Sequence, residues 1–368
     1  MNKIWIILIL CFVVSCQSNN KHKNIERQST KYALHFDFFQ ENNDLKLAVY
    51  GPWQGAKNEK FEYILSSDTL SNNSSKITIP IKRAICLSTT HLGFIEAIDE
   101  RNSVVGLSGT QIVYDSIIIE RIKQKKVFEI GYENNIDIEL ILKLKPQIVF
   151  VYDISGTMKE KFSFIEKNGI PVVYVAEYLE NNPLGRAEWL KFFALFFNKL
   201  SQANNIFENI EKDYLELKKH NKSKQKPNVL VNIPFQGVWY VPGGLSFMAK
   251  LIEDAGGNYI FKENKQSESF IVTIENIFSL NQKIDVLINT SNYNSIEQLI
   301  ANENRLEMLN CIQQKKVYNN TKRTNISNAN DFWESGVVFP NKILKDLSIC
   351  FSNDSIFLDS LFYYHKLE

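Results

Sequence analysis

Histidine, proline and glycine are sparse in this 368-residue chain, at 5, 9 and 15 residues, and there are only 5 cysteines. His22, His35, His91, His220 and His365 are scattered, too few and too far apart for a histidine-rich metal site. Cys86, Cys311 and Cys350 are remote from one another, and no CxxC or Cys/His spacing occurs, which argues against a zinc framework. Cys86 sits in the apolar run 84–87 and reads as a buried strand residue; whether any two of the three pair stays open. Neither sign of charge is in excess, the net being +1, so no electrostatic footprint for nucleic acid is present. GxSxG, HExxH, GxGxxG and P-loop motifs are all missing, which leaves no catalytic signature. Aromatics, by contrast, are plentiful. With 25 Phe and 15 Tyr the chain can fill its cores and still line a pocket for a large planar ligand.

The N-terminus carries the clearest local signal. Lys3 precedes the apolar run 4–14, then Ser15 and Cys16. The run is too short to span a bilayer as a helix and reads as a secretory signal. Residues 13–16, Val-Val-Ser-Cys, resemble the bacterial lipobox, which implies cleavage after residue 15 and lipid attachment at Cys16. Polar residues 16–31 then form a flexible tether. Short alternating runs over 32–80 predict a small β meander.

From residue 81 short apolar strands alternate with helical segments, which predicts a mostly parallel α/β lobe over 81–182. Residues 186–220 contain no Pro or Gly and repeat apolar residues at spacings of three and four. The spacing predicts one spine helix within 183–222, ~50 Å long if continuous. The βα alternation restarts in a second lobe over 223–368, ending in helices over NANDFWESG and PNKILKDLSICF. The fold class is therefore α/β: two Rossmann-like lobes joined by a long helix, preceded by a β meander. Loops at the strand ends of such lobes face a cleft.

Four motifs in this order resemble the class III periplasmic substrate-binding proteins of ABC importers: ICLSTTHLGFIEAID with VVGLSG, DIELILKLKPQIVFVY, PLGRAEWLKFF, and GGLSFMAKLIEDAGGNYIF with NDFWESGVVFP. The likeness covers about residues 82–350. It departs from the family pattern at Gln147, where Asp is usual, a change expected to alter only a surface contact. The resemblance implies a soluble monomer, tethered to a bacterial membrane by its lipid alone and located in the periplasm. Its partners would be an ABC permease with its ATPase and a small-molecule iron chelate or corrinoid. It implies no resident cofactor, no metal site, no nucleic acid and no enzymatic step. The ligand expected is a ferric siderophore, with cobalamin and then haem as alternatives; a structural or adhesive lipoprotein is the competing class. In the family a glutamate on each lobe docks onto permease arginines, and Glu139 and Glu253 occupy the matching positions.

Residues expected at the ligand follow from their places at strand ends. Ser88, Thr89 and His91, beside Thr90, form the first strand-to-helix loop, although hydroxyls there also suit helix capping. Tyr132 and Tyr152 follow later strands, as does Tyr178. Arg186 opens the spine and could hold an anionic chelate or form an internal ion pair with a neighbour. Trp239, Tyr240 and Trp333 offer aromatic faces for stacking, with core packing as the alternative for each. Trp189, deep in the apolar part of the spine, reads as core.

Overall fold

The computed structural model describes residues 27–28, 30–41, 44–67, 76–132, 135–221, 226–352 and 355–368. Cys16 and most of the expected tether lie outside them. The N-terminal sheet runs in the order β1 (Arg27–Gln28), β2 (Phe36–Glu41), β3 (Asp44–Tyr50), β4 (Lys60–Ser66), β5 (Lys76–Thr78). Its first four strands are antiparallel, and β5 joins parallel to β4. Alternation in β2 sends Phe36 and Phe38 inward, where Phe36 meets Trp189 at 4.7 Å between ring centroids.

Two features correct the expected tether and meander. β1 falls inside the segment read as tether, and the chain is held firmly just after it. The backbone N–H groups of Lys31, Tyr32 and Ala33 donate to the carboxylate of Glu188 at 2.8–3.0 Å. Those of Leu34 and His35 donate to Glu180, which also accepts from Trp189 Nε1 at 3.1 Å. Buried Glu180 thus finds its counter-dipoles in backbone amides and the Trp189 indole, whereas buried Glu188 combines three backbone amides with an ion pair to Lys191 at 2.9 Å.

The first lobe comprises β6 (Ala84–Cys86), α1 (Thr89–Ala97), β7 (Val104–Leu107), α2 (Ser116–Lys123), β8 (Phe128–Glu129), α3 (Ile138–Leu144), β9 (Ile148–Val151), α4 (Lys159–Lys167) and β10 (Val172–Tyr174). Its sheet is wholly parallel in the order β10-β9-β6-β7-β8. Gln147 does more than touch the surface: its Oε1 accepts from the backbone of Lys82 and Arg83 at 2.6 and 3.1 Å, fixing the entry to β6.

The spine is two helices, not one. α5 (Pro183–Phe196) ends where Asn198 adopts φ +56°, and Lys199 N–H returns to Ala194 C=O at 2.9 Å. That 6→1 bond with a left-handed asparagine closes the helix. α6 (Leu200–Asn221) then packs back on α5. α5 is buried on nearly every face, with Trp189, Phe192, Phe193 and Phe196 in the main core, whereas α6 buries only one stripe.

The second lobe contains β11 (Asn228–Val231), β12 (Trp239–Val241), α7 (Phe247–Asp254), β13 (Asn258–Tyr259), β14 (Phe270–Val272), α8 (Ile274–Ser279), β15 (Val286–Ile288), α9 (Ile296–Asn302), α10 (Asn310–Gln313), β16 (Val317–Asn319), α11 (Pro340–Cys350) and β17 (His365–Lys366). The sheet order is β13-β11-β15-β16-β17, parallel except for β17, and β12 pairs with β14 as a separate antiparallel ribbon. NANDFWESG forms short 3₁₀ turns around Glu334 instead of a helix. This segment crosses back to the first lobe. Glu334 accepts from the N–H groups of Tyr114 and Asp115, both at 2.8 Å, and Asn325 Nδ2 donates to Val113 C=O at 2.9 Å. Gly93 of α1 is required there, since a Cβ would stand 2.1 Å from the Glu334 carbonyl. Cys86, Cys311 and Cys350 are buried free thiols.

Candidate ligand cleft

In each parallel sheet the carboxyl ends of the strands carry the loops that can meet a ligand. In the first lobe, residues after β6, β7, β8 and β9 enclose a small hollow of about 120 Å³. Ser108, Tyr132, Tyr152 and Asp153 line it, with the loop that follows Asp153. The Asp153 carboxylate is already committed to its own loop, accepting from the N–H groups of Ser155, Gly156 and Met158 at 2.9–3.2 Å. Tyr178 donates its hydroxyl to Asp153 C=O at 2.8 Å, and Gln111 Nε2 donates to the Tyr132 hydroxyl at 2.9 Å. The N-terminal sheet braces this wall from outside. Gln54 N–H donates to Ile154 C=O at 3.1 Å, and Trp53 lies so close that a Cβ on Gly156 would fall 2.7 Å from its indole nitrogen.

The second lobe offers a much larger hollow, about 770 Å³, at the ends of β11, β15 and β16. Phe235, Tyr240, Tyr293 and Trp333 supply aromatic surface, and Trp333 is 53% exposed. The polar lining is mostly carboxamide. Asn232 and Asn289 hold left-handed backbones at φ +65° and +60°, which asparagine tolerates and which turn the chain sharply at the strand ends. Asn289 Oδ1 accepts from the Tyr364 hydroxyl at 2.8 Å. Asn320 lines the hollow at only 4% exposure; its backbone N–H donates to Asn319 Oδ1 at 3.0 Å, and its side-chain amide opens onto the hollow.

The residues expected at the ligand therefore divide. Tyr132, Tyr152, Tyr240 and Trp333 line the two hollows. Trp239 does not: it is 1% exposed, donates Nε1–H to Val231 C=O at 3.3 Å and packs in the second lobe's own core. The period of two along β12 puts Trp239 inward and Tyr240 outward, so the pair could never have faced the cleft together. His91 is likewise buried, its ring 5.7 Å from that of Phe193 and 6.4 Å from that of Tyr152. Burial pushes its pKa down to about 4, which keeps the imidazole neutral. Ser88 is the α1 N-cap, accepting from Thr90 N–H, and Thr89 is the first residue of that helix.

Arg186 takes the internal role. Its guanidinium lies 3.8 Å from Glu177 and 5.2 Å above the Phe247 ring of the second lobe, while Thr90 donates to Glu177 at 2.7 Å. Desolvation of this buried site lowers the arginine pKa, partly opposed by Glu177. Glu139 is exposed in the first turn of α3, and Glu253 is exposed on α7, where Lys250 meets it at 2.6 Å. The asparagines are what sequence reasoning missed. The available signal was Asn and Ser packed directly after strand ends, in NTSNYNS and YNNT.

The sequence profile of the periplasmic binding protein family matches residues 85–324. An uncharacterized lipoprotein of Methanocaldococcus jannaschii is 29% identical over 77% of this chain and 68% of its own length. The petrobactin-binding protein YclQ of Bacillus subtilis superposes with a TM-score of 0.59 at 17% identity, over 84% of this chain and 99% of that one. An ABC-type Fe3+-hydroxamate transport protein of Saccharomonospora viridis gives 0.57 at 17%, over 74% and 94%. Two parallel lobes, a helical connection and loop-lined hollows at the strand ends are the architecture of a solute-binding protein. This chain belongs to the periplasmic binding protein family, in its class III branch. No helix among the described residues is long and apolar enough to cross a membrane.

Proposed function

We propose that this chain is the lipid-anchored, substrate-binding component of an ABC importer, and that it captures a ferric siderophore between its lobes. The observation that carries this reading is the aromatic- and amide-lined hollow of about 770 Å³ at the strand ends of the second lobe, together with a smaller tyrosine-lined hollow at the strand ends of the first. That volume suits a ligand of several hundred daltons rather than a bare ion. Among the described residues no group of three or more His, Cys, Asp or Glu is placed to hold a metal, so an iron ligand would enter already chelated. The likeness to a petrobactin-binding protein and to an Fe3+-hydroxamate transport protein supports the same class of cargo. A corrinoid is the second reading, favoured by the carboxamide lining, which suits a ligand rich in amides.

Capture is equilibrium binding with modest lobe movement, and no covalent step is required. Cys16 carries the lipid, and the tether holds the body near its permease in the periplasm, raising effective concentration without setting orientation. Glu139 on the first lobe and Glu253 on the second then dock onto permease arginines and read the spacing between lobes. The double variant Glu139→Ala, Glu253→Ala should bind ligand with unchanged affinity and lose uptake in cells. Undiminished uptake would remove the docking assignment. Cys16→Ala should release the protein from membranes.

A further inference from the structure

We infer that the cleft selects an electrically neutral, amide-rich metal complex and discriminates against polyanionic chelates. The inference rests on the reading of the two strand-end hollows as the ligand site. Half of the residues lining the larger hollow are carboxamides, six asparagines and one glutamine, and among the described residues lining it none carries a charge. The first-lobe hollow contributes hydroxyls, phenols and one carboxylate, Asp153, again with no lysine or arginine in its lining.

A trianionic chelate moved from water into such a site loses hydration that only a cation can replace. Binding proteins for carboxylates and catecholates need Arg or Lys for that reason. Six cations of the spine and second lobe are placed elsewhere. Arg186 is buried against Glu177 and Phe247. Arg323 bonds Asp331 at 2.5 Å and stacks 4.4 Å from the Phe362 ring. Lys226, Lys250, Lys262 and Lys265 line a different hollow, beside the edge strand β13.

Carboxamides offer the opposite chemistry. Each donates and accepts, so it pairs with ligand amides and carbonyls without imposing a charge. Asn320 is the sharpest case, because its residue is 4% exposed while its side-chain amide still opens onto the hollow, free to pair with a ligand. Aromatic faces at Tyr240, Tyr293 and Trp333 add stacking surface that is indifferent to ligand charge. Two sources share this chemistry, a neutral ferric trihydroxamate built on a cyclic peptide and a corrinoid with amide side arms.

The test is a tryptophan-fluorescence titration of the full-length chain with four probes: a neutral ferric cyclic trihydroxamate, cyanocobalamin, haem, and a trianionic ferric tricatecholate. One of the two neutral complexes should bind at least about tenfold more tightly than the tricatecholate and haem, and which one binds identifies the source. In Asn320→Leu that affinity should fall about tenfold while the thermal midpoint stays near wild type. Asn292 is exposed, so Asn292→Lys should fold normally, and it should improve tricatecholate binding about tenfold relative to the neutral complex. Tighter binding of the tricatecholate or haem than of both neutral complexes would overturn the inference and leave the cleft reading standing. Binding of none of the four would overturn both.

Discussion

The two lobes share an architecture and differ in how each is held. The first is continuous with the N-terminal sheet, the paired spine helices, α7 and α11 in one hydrophobic core. The second reaches that same core through Val229, Val231, Val286 and Ile288, and adds a smaller core of its own around Trp239, Leu230 and Leu287 that includes Val241 and Val272 of the β12–β14 ribbon. Their cleft walls differ in the same sense. The first-lobe wall is narrow and braced from outside by Trp53 and Gln54, with its carboxylate satisfied by its own loop. The second-lobe wall is wide and open, with carboxamides along its lining. We read the two walls as a division of labour: the braced first lobe sets the ligand's position, and the amide-lined second lobe supplies its hydrogen bonds.

The cores offer the coarsest way to break this comparison. Trp189→Ala and Trp239→Ala each empty a fully buried site and should cost about 3–5 kcal/mol. Trp189→Ala should lower the main thermal transition as a whole. Trp239→Ala should instead split off an earlier transition belonging to the second lobe, visible by calorimetry. A single shared shift in both variants would show that the two cores unfold as one.

Next in size is the acid response of the first lobe. The neutral His91 binds its proton with a folded pKa of about 4 against a usual 6.5, so the unfolded chain holds more protons between those values. Stability should therefore fall as pH drops from about 6.5 toward 4, by about 3 kcal/mol in full. His91→Phe should flatten that limb in thermal unfolding across pH; an unchanged slope would place the loss elsewhere. Glu334, which ties the return segment to the first lobe, moves oppositely. Burial pushes it up to about 8, so its stabilising share is present at low pH and is lost as pH rises through 8. Glu334→Gln should remove that decline, which spans pH 4.5 to about 8, again read from unfolding midpoints.

The clamp on the N-terminal segment is a smaller effect with a local reading. Glu188→Ala would strand the N–H groups of Lys31, Tyr32 and Ala33, at about 1–3 kcal/mol. Faster hydrogen exchange confined to residues 30–41 should follow, and protection equal to wild type there would contradict the clamp.

Much of this was legible in the sequence, and the misses have physical causes. Strand-helix alternation marks both lobes because buried parallel strands are continuous apolar runs, as in Ile148–Val151. Continuity of the spine was misread because Asn198 is a weaker stop signal than glycine, yet it adopts the same left-handed geometry. The roles of Glu180 and Glu188 depend on amides some 150 positions away, which no local pattern encodes. Trp239 could have been placed from strand alternation alone. The amide wall could not, because asparagines after strands are also ordinary turn residues, and only the fold gathers those of three strand ends around one hollow.

The division of labour is tested most directly by removing one aromatic from each wall. With the neutral complex that binds, Tyr132→Ala and Tyr240→Ala should each weaken affinity, by about tenfold, since one ligand must touch both lobes. Loss in Tyr240→Ala with wild-type affinity in Tyr132→Ala would mean that the ligand sits in the second-lobe hollow alone and that there is no shared cleft.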